Sequence, residues 1–412
     1  MGIKLGLVGF GSFGRAFAPL FANHPLVDSV GLCDAEEDRI RWAYEHPAIT
    51  PKVDTKNMTT SFDEMCKSDC DAIVIITQPW LHAPQCIQAM ESGKDVYSAV
   101  PVICLPDDDE MLDWSGKIIE TVQRTGKEYM LGETTIYRPP TMLCRRMAAA
   151  GEFGHFVYAE AEYAHDVDEP ACSLRNVNKS RSTGKIGAQA AAFMQKYWDR
   201  GLKSHAMAYP THSMSGVIDV MRTQPLSVSA IGYRNRNNDV FFKNYDFCNI
   251  SSLFQLANGA AFRVCEMREI VPGTGLNGED FRIFGTGGSY SYGVVKKNGR
   301  VEALPEVTPK PVEQKEYTEA EMRDPLPEEV REAFKKVYNP DAKPEDDFEP
   351  LGHGGSHPYL VHEFVSAVAE HRRPKISAWD AATYMAMGVA AHKSAQKDGE
   401  IVKVVDFGKK WD

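Results

Sequence analysis

Residues 9–14 read Gly9-Phe10-Gly11-Ser12-Phe13-Gly14, and this glycine-rich turn decides the fold. It follows an apolar run, residues 3–8, and opens a helical pattern over residues 13–22. In a strand–turn–helix unit the first glycine permits the turn, the second lets the backbone approach a pyrophosphate, and the third lets the helix pack on the strand. Asp34 ends a second predicted strand, where a carboxylate accepts hydrogen bonds from the adenosine ribose. The pattern predicts a dinucleotide site.

The residues that follow Asp34 favour NAD over NADP as the cofactor. Ala35, Glu36, Glu37 and Asp38 make this neighbourhood anionic. A 2′-phosphate would therefore be repelled there unless Arg39 or Arg41 reached back. An arginine directly beside the acidic residue, which commonly accepts that phosphate, is absent from the sequence.

Composition and charge place the chain among globular proteins with two domains. Its 412 residues exceed one typical core, and 43% hydrophobic and 25% charged residues are ordinary values. The net charge of −11 argues against nucleic acid as a partner, because phosphate neutralisation dominates such binding. No apolar run reaches the roughly 18 residues of a membrane span, so we expect no membrane partner.

The nine cysteines are scattered without C-x-x-C pairs. Cys66 and Cys70 lie near one another in sequence but have no partner pair and no histidine cluster nearby. We therefore expect reduced thiols and no metal site. The sequence begins with a strand and shows no signal peptide, which predicts a cytoplasmic protein.

The patterning divides the chain into two parts. Strands and helices alternate over residues 1–134, which predicts a Rossmann domain with a doubly wound parallel sheet in an α/β protein. Residues 135–412 show period-two alternation between turns, which predicts an α+β substrate-binding domain with an open, mostly antiparallel sheet. Its strand candidates are residues 156–163, 226–233, 249–255, 260–266, 281–284 and a final strand over 401–405. Residues 304–350 are rich in proline and acidic residues and are predicted to be loop around one helix, residues 327–338.

Four stretches resemble the Gfo/Idh/MocA oxidoreductases: the glycine-rich turn and residues 75–82, 93–101 and 391–395. The family's Thr-Pro-x-x-x-His is present as Thr77-Gln78-Pro79-Trp80-Leu81-His82, with one residue inserted before the proline. The resemblance implies a Rossmann domain followed by an antiparallel sheet whose face covers the nicotinamide. With the turn and Asp34, it implies that NAD is bound by Gly9, Phe10, Gly11, Ser12, Phe13, Gly14, Asp34, Thr77, Gln78, Trp80, His82, Val100, Pro101 and Glu133.

One departure concerns the Glu-Lys-Pro that most dehydrogenases of this family carry after the fifth strand, whose lysine assists proton transfer. Here the tripeptide is Ala99-Val100-Pro101, which is similar to the Glu-Val-Pro of the NAD-dependent glycoside hydrolase family 109. Residues 163–166 and 209–212 resemble that group's Tyr-x-His-Asp and Tyr-x-Thr-His. Two further features are similar to that group: Glu133 at the end of the sixth strand, and the tripeptide His353-Gly354-Gly355.

The resemblance implies a redox-neutral glycoside hydrolysis. A hydride leaves C3 of the sugar, the aglycone is eliminated from C1, water adds, and the hydride returns. Such a route needs acids and bases around the sugar, and environment can shift tyrosine and histidine pKa values toward neutrality. Tyr163 and His165 are two apart on a predicted strand and so share a face. Tyr209 and His212 are three apart, which on a helical turn also places them on one face. The expected catalytic residues are Glu133, Tyr163, His165, Tyr209 and His212.

Three functions remain open from the sequence. The first is the redox-neutral glycosidase, the second is a net sugar dehydrogenase that uses His212 as its base, and the third is a catalytically silent NAD-binding regulator. The partners expected are a sugar or glycoside and a second copy of the chain, bound through the C-terminal sheet. His353 and His357 either gate the site or form a turn, and residues 196–200 either bind sugar or form a solvated loop.

Overall fold

The computed structural model describes residues 2–169, 173–271, 279–298, 311–343 and 345–411. Two sheets organise these residues. One has six strands and the other has nine. The sheet prediction, a parallel sheet followed by a mostly antiparallel one, is confirmed.

The six-stranded sheet is parallel and runs in the order β3-β2-β1-β4-β5-β6. Its strands are β1 (Ile3–Val8), β2 (Val27–Cys33), β3 (Val53–Thr59), β4 (Ala72–Ile75), β5 (Asp95–Ser98) and β6 (Tyr129–Leu131). Every residue of β4 is buried, as expected for a central strand covered on both faces. The strand order reverses between β1 and β4, and ligands of such sheets bind in the crevice at that point.

The helices of this part follow its strands. They are α1 (Ser12–Asn23), α2 (Glu37–Glu45), α3 (Phe62–Lys67), α4 (His82–Glu91) and α5 (Asp108–Thr125). The ends of α5 show how the local sequence sets such bounds. The Asp107 side chain accepts hydrogen bonds from two backbone amides of the first turn, and Gly126 closes the helix in a left-handed conformation with φ of 67°.

The nine-stranded sheet runs in the order β14-β13-β12-β11-β7-β10-β9-β8-β15. Strands β7 and β10 are parallel, and the other described neighbours are antiparallel. The strands are β7 (Phe156–Ala164), β8 (Pro225–Tyr233), β9 (Asn249–Leu256), β10 (Ala261–Met267), β11 (Glu279–Gly285), β12 (Gly288–Ser291), β13 (Val294–Lys297), β14 (Glu313–Glu316) and β15 (Val402–Lys403). One face of this sheet carries the helices.

The remaining helices are α6 (Pro139–Ala149), α7 (Leu174–Arg181), α8 (Gly184–Asp199), α9 (Thr211–Met221), α10 (Glu319–Met322), α11 (Glu328–Tyr338), α12 (His357–Ala369) and α13 (Ala378–Ala395). Helix α13 is almost entirely buried and packs against both α5 and β8, so it joins the two sheets. The boundary predicted after residue 134 lies between β6 and β7 and stays a prediction. Among the described residues, no helix is both long and apolar enough to cross a membrane.

Several elements differ from the sequence prediction. The region 304–350 contains β14 and α10 in addition to the expected helix α11, while residues 304–310 lie outside the described part. The last strand, β15, spans two residues instead of five. Strand β3 and helix α2 were not predicted. In β3 no residue is fully buried, so the apolar periodicity that would announce a strand is weak.

Candidate active site

The glycine-rich turn has the shape of a phosphate cradle. Gly9 has a φ of +95°, and a Cβ there would collide with the carbonyl oxygen of Ile76. A Cβ on Gly14 would collide with the carbonyl oxygen of Gly9, whereas a Cβ on Gly11 would meet nothing within 4 Å. The space above Gly11 is therefore open at the N-terminus of α1, which no side chain caps. A pyrophosphate fits there, facing free backbone amides.

Asp34 is fixed at the carboxyl end of β2. It is 6% exposed, and its Oδ2 accepts a hydrogen bond from the Phe10 amide at 2.7 Å. Its Oδ1 accepts one from the Glu36 amide at 3.0 Å and lies 3.9 Å from Nη1 of Arg39. Arg39 thus reaches back towards the carboxylate of Asp34. From the sequence, such an arginine is the condition under which a 2′-phosphate would not be repelled. The preference for NAD over NADP stays a prediction.

A buried ion pair lies where β6 ends. Glu133 is wholly buried, and its Oε1 accepts a hydrogen bond from the Thr135 amide at 2.8 Å and lies 2.9 Å from Nδ1 of His212. Burial alone would raise the pKa of Glu133, but the adjacent His212 lowers it to about 2. Burial likewise opposes charge on His212, yet Glu133 and Glu279 raise the pKa of His212 to about 9. The resting pair at neutral pH is carboxylate and imidazolium.

Two tyrosines flank His212. The ring centroids of Tyr163 and Tyr209 lie 5.0 and 5.5 Å from that of His212. The Tyr163 hydroxyl is hydrogen-bonded to Nδ1 of His165 at 2.6 Å, and the Tyr209 hydroxyl donates to the carbonyl oxygen of Val100 at 2.7 Å. Burial raises the pKa of both phenols, so both are neutral at rest. The structure thus brings the five predicted catalytic side chains into one cluster of contacts, called the pocket below; their roles stay predictions.

A second row of charges behind this pocket was missed by the sequence analysis. Glu279 lies with its Oε2 3.8 Å from Nδ1 of His212 and forms an ion pair with Arg138. Arg268 places its guanidinium carbon 4.4 Å from the ring centre of Tyr163 and donates to Oε2 of Glu266 at 2.5 Å.

Glu266 illustrates why this row was missed. It lies on the same inward face of β10 as Phe262 and Val264, and it pairs in register with Tyr163 of β7. Burial raises its pKa to about 7. A carboxylate at an inward position of an apolar strand is a signal that the sequence does carry. Its partner is set by a pairing between distant strands, which the sequence does not show.

The predicted cofactor contacts after β4 form one edge of the cleft. His82 is buried, with Nδ1 2.8 Å from the carbonyl oxygen of Pro101 and Nε2 3.2 Å from that of Thr77. Burial lowers the pKa of His82 to about 4, so the ring is neutral. His82 therefore links the loop after β4 to the loop after β5. Val100 and Pro101 are buried beside it.

Helices α7 and α8 reach across the same cleft. Gln78 donates from Nε2 to the carbonyl oxygen of Arg181 at 2.9 Å, and the Trp80 ring stacks on Phe193 with centroids 4.8 Å apart. On the other side of the cleft, the amide of Lys185 donates to Oε1 of Glu36 at 2.8 Å. Gln78 and Trp80 are therefore engaged by the C-terminal domain at the mouth of the cleft.

Two of the candidate sugar ligands in residues 196–200 face helix α5. The Tyr197 hydroxyl donates to Oε2 of Glu110 at 2.9 Å, and Nη2 of Arg200 lies 3.1 Å from Oδ2 of Asp107. These contacts hold α8 against the start of α5. Sugar binding by this segment stays a prediction.

A His–Asp cluster lies at the start of α5. The carboxylate of Asp108 bonds Nε2 of His205 at 3.0 Å and Nδ1 of His392 at 2.7 Å. The two rings are stacked, with centroids 3.5 Å apart and planes 8° from parallel. Rings stacked face to face cannot both direct an in-plane lone pair at one ion. The arrangement is that of a hydrogen-bonded network around Asp108 and does not resemble metal coordination.

The parallel sheet and the glycine-rich turn are those of a protein with a nucleotide-binding Rossmann domain. Residues 3–131 match the model of the Gfo/Idh/MocA family, described as an oxidoreductase family with an NAD-binding Rossmann fold. This match confirms the predicted resemblance to that family, and NAD as the cofactor, for the N-terminal part of the chain. The open space above Gly11 and the carboxylate of Asp34 fit that cofactor.

Curated relatives match about half of the chain. An α-N-acetylgalactosaminidase from Shewanella oneidensis is 29% identical over 224 residues, which cover 53% of this chain and 44% of the relative. A glycosyl hydrolase family 109 protein from Shewanella baltica is 27% identical over the same coverage. The matched part thus spans less than half the length of these relatives.

Solved structures share the whole fold at low identity. A levoglucosan dehydrogenase in complex with NADH and levoglucosan has a TM-score of 0.70 at 18% identity, covering 98% of this chain and all of that one. The myo-inositol 2-dehydrogenase of Lactobacillus plantarum has a TM-score of 0.66 at 13% identity, with the same coverage. These likenesses establish the two-sheet fold.

Proposed function

We propose that this chain is an NAD-dependent carbohydrate enzyme that hydrolyses a glycoside without net redox change. The observation that carries the proposal is that two separate acid–base units face one pocket: His212 with Glu133, and Tyr163 with His165. Oxidation of an alcohol needs one base, whereas oxidation, elimination and rehydration need proton transfers at several positions of the sugar. When bound, NAD supplies a reversible hydride acceptor for the sugar.

His212 is suited to donate a proton. Its Nδ1 is held by Glu133, which leaves Nε2 as the nitrogen available to a substrate. Because its pKa is raised to about 9, the ring is protonated at neutral pH. It can protonate the oxygen of a leaving group or stabilise negative charge on a sugar oxygen. This replaces the base role that the dehydrogenase alternative assigned to it.

Tyr163 and His165 are suited to accept a proton. A sugar hydroxyl can pass its proton to the Tyr163 oxygen while the phenol passes its own proton to Nδ1 of His165, along the 2.6 Å hydrogen bond. The proton ends on the imidazole of His165. The Tyr163 oxygen is again a phenol, and the sugar oxygen is left as an alkoxide. The raised pKa of Tyr163 favours the neutral phenol before and after this transfer.

Val100 stands at the sequence position of the family's lysine, and Tyr209 is bonded to its backbone. The carbonyl oxygen of Val100 accepts the Tyr209 hydroxyl at 2.7 Å, so a neutral phenol lies beside this position. A neutral phenol can bind and orient a sugar hydroxyl without adding charge beside a cationic nicotinamide. The glycosidase names of the curated relatives point the same way.

The test is a panel of aryl glycosides, including the α-N-acetylgalactosaminide, and free sugars, with aglycone release and reduced nicotinamide followed together. Aglycone release without net reduction of NAD supports the proposal. Stoichiometric reduction with product makes the chain a net sugar dehydrogenase. NAD binding with neither activity over the panel makes it a regulator.

A matched pair of variants ties the activity to the pocket. His212→Gln should lower turnover by roughly 10²- to 10⁴-fold with NAD affinity nearly unchanged, as expected for loss of an acid–base group. His155→Gln changes an exposed histidine and should leave both quantities unaltered. If the His212 variant keeps more than about a tenth of the activity, the role given to His212 is wrong.

We also propose that two copies associate through the outer face of the nine-stranded sheet. Large apolar side chains are exposed on β8 and β9: Ile231 is 61% exposed, Leu253 is 50% exposed and Leu226 is 42% exposed. Light scattering on the purified protein tests this, with Ile231→Lys as the disrupting variant. A monomer in the unaltered chain would contradict the proposal.

A further inference from the structure

The loop before α12 holds a histidine in an unusual backbone conformation. Four successive residues have positive φ: Gly352 (81°), His353 (43°), Gly354 (67°) and Gly355 (83°). Glycine adopts this region freely, whereas a side chain there is strained. A histidine among three glycines at such a position indicates that its ring has a task that outweighs the backbone strain.

The ring of His353 is fixed against the glycine-rich turn. It meets Phe13, the second residue of α1, edge to face with centroids 5.4 Å apart. Its Nδ1 is hydrogen-bonded to Nε2 of His357 at 2.9 Å, and the ring of His357 packs on Phe17 at 4.0 Å. His357 is buried, whereas His353 is exposed. The hydrogen bond occupies Nδ1, so Nε2 is the nitrogen that His353 offers to a ligand.

The next residue connects this loop to the catalytic pocket. A Cβ on Gly354 would lie 3.6 Å from Cγ of Arg138, the arginine that forms the ion pair with Glu279. His353 therefore lies between the phosphate cradle at the N-terminus of α1 and the charges behind His212.

We propose that His353 is a ligand of the dinucleotide and donates a hydrogen bond from Nε2 to a pyrophosphate oxygen. His357 is the positioning residue: when its Nε2–H donates to Nδ1 of His353, the proton of His353 is held at Nε2, where it faces the anion. The inference rests on the NAD site in the proposed function and does not depend on the glycoside.

The structure offers a matched control for the test. His371 is an exposed histidine with a φ of 51°, so His353→Gly and His371→Gly make the same chemical change and relieve the same backbone conformation. Calorimetric titration of the cofactor-free chain with NAD⁺ should show about 10- to 100-fold weaker binding for His353→Gly, as expected for a hydrogen bond to a charged group. His371→Gly should bind as the unaltered chain does.

Two further measurements locate the contact. ADP carries the pyrophosphate without the nicotinamide ribose, so its affinity should fall by a similar factor in His353→Gly; a loss with NAD⁺ but not with ADP would overturn the pyrophosphate assignment. His357→Phe keeps the packing on Phe17 and should lower the affinity for NAD⁺ several-fold. His357→Gln can still donate a hydrogen bond to His353 and should bind NAD⁺ as the unaltered chain does.

The outcomes separate this inference from the cofactor assignment. An unaltered chain that fails to bind NAD⁺ would overturn the cofactor itself. An unaltered chain that binds NAD⁺, with His353→Gly and His371→Gly indistinguishable, would overturn the role of His353 alone.

Discussion

Replacing Glu133 by glutamine removes the charge that keeps His212 protonated while preserving size and the hydrogen-bond acceptor. The Nδ1–Oε1 distance is 2.9 Å, and both side chains are buried, so solvent screens the pair little. The pKa of His212 rises from 6.5 to about 9 in the folded chain. At about 1.4 kcal/mol per unit, the imidazolium is stabilised by about 3 kcal/mol. Glu279 supplies part of this stabilisation. The pKa of Glu133 falls from 4.5 to about 2, chiefly because of His212 and in part because of the hydrogen bond from the Thr135 amide.

The sign of each shift sets the pH window. The folded pKa of His212 is raised, so its contribution is complete below pH 6.5 and is lost as pH rises through about 9. The folded pKa of Glu133 is lowered, so its contribution is present above pH 4.5 and is lost as pH falls towards 2. The pair therefore stabilises the fold fully between 4.5 and 6.5.

Denaturant unfolding at two pH values tests this reasoning. Because Glu279 remains beside His212 in the variant, we expect Glu133→Gln to lower the free energy of unfolding by up to about 3 kcal/mol near pH 6, and by little above pH 9. Glu120→Gln, an exposed glutamate of α5, is the control and should show no such dependence. Titration of the His212 ring by NMR should give a pKa far above 6.5 in the unaltered chain and a lower one in the variant. A normal pKa in the unaltered chain, or an equal destabilisation at both pH values, would refute the pairing.

Two further predictions concern the cofactor cleft. Asp34→Ala should weaken NAD by about 1–3 kcal/mol in calorimetric titration, since a charged hydrogen-bond acceptor is lost; the unaltered chain should prefer NAD over NADP, and the opposite preference would contradict the role of Asp34. Val100→Lys should impair activity, because Val100 is 5% exposed and an ammonium there would be desolvated and would face a cationic nicotinamide. Faster net reduction of NAD by this variant on simple sugars would show instead that the chain is a dehydrogenase that has lost its lysine.

The parts of the fold that follow from local sequence could be predicted. The strand β1, the turn over residues 9–14 and helix α1 carry their own signals, since apolar periodicity and glycine geometry act within a few residues. The weak elements could not. Strands β12, β13 and β14 are four residues each, and β14 is fully exposed, so burial leaves little pattern to find.

The same division holds for the site. Tyr163 and His165, and Tyr209 and His212, could be paired by their spacing along a strand and a helical turn. The sequence could not show that Glu279 and Arg138 join these residues. Glu279 lies on strand β11 and Arg138 at the start of α6, far apart in the chain. The protonation state of His212 depends on this second row as well as on Glu133. The sequence could thus name the residue but could not assign its charge.

That charge is the basis of our preference between the two proposed catalytic functions. A dehydrogenase that lacks the family lysine needs a neutral base near the alcohol, and an imidazolium held by Glu133 cannot take that role at neutral pH. The Tyr163 phenol, which is hydrogen-bonded to Nδ1 of His165, can take that role in our proposal, and both Tyr163 and Tyr209 lie with their ring centroids within 5.5 Å of that of His212. A proton acceptor and a proton donor that face the same sugar are the pair that an elimination requires. The geometry therefore supports the proposed cleavage of a glycosidic bond over simple oxidation, and the difference traces to the two carboxylates, Glu133 and Glu279, that keep His212 protonated.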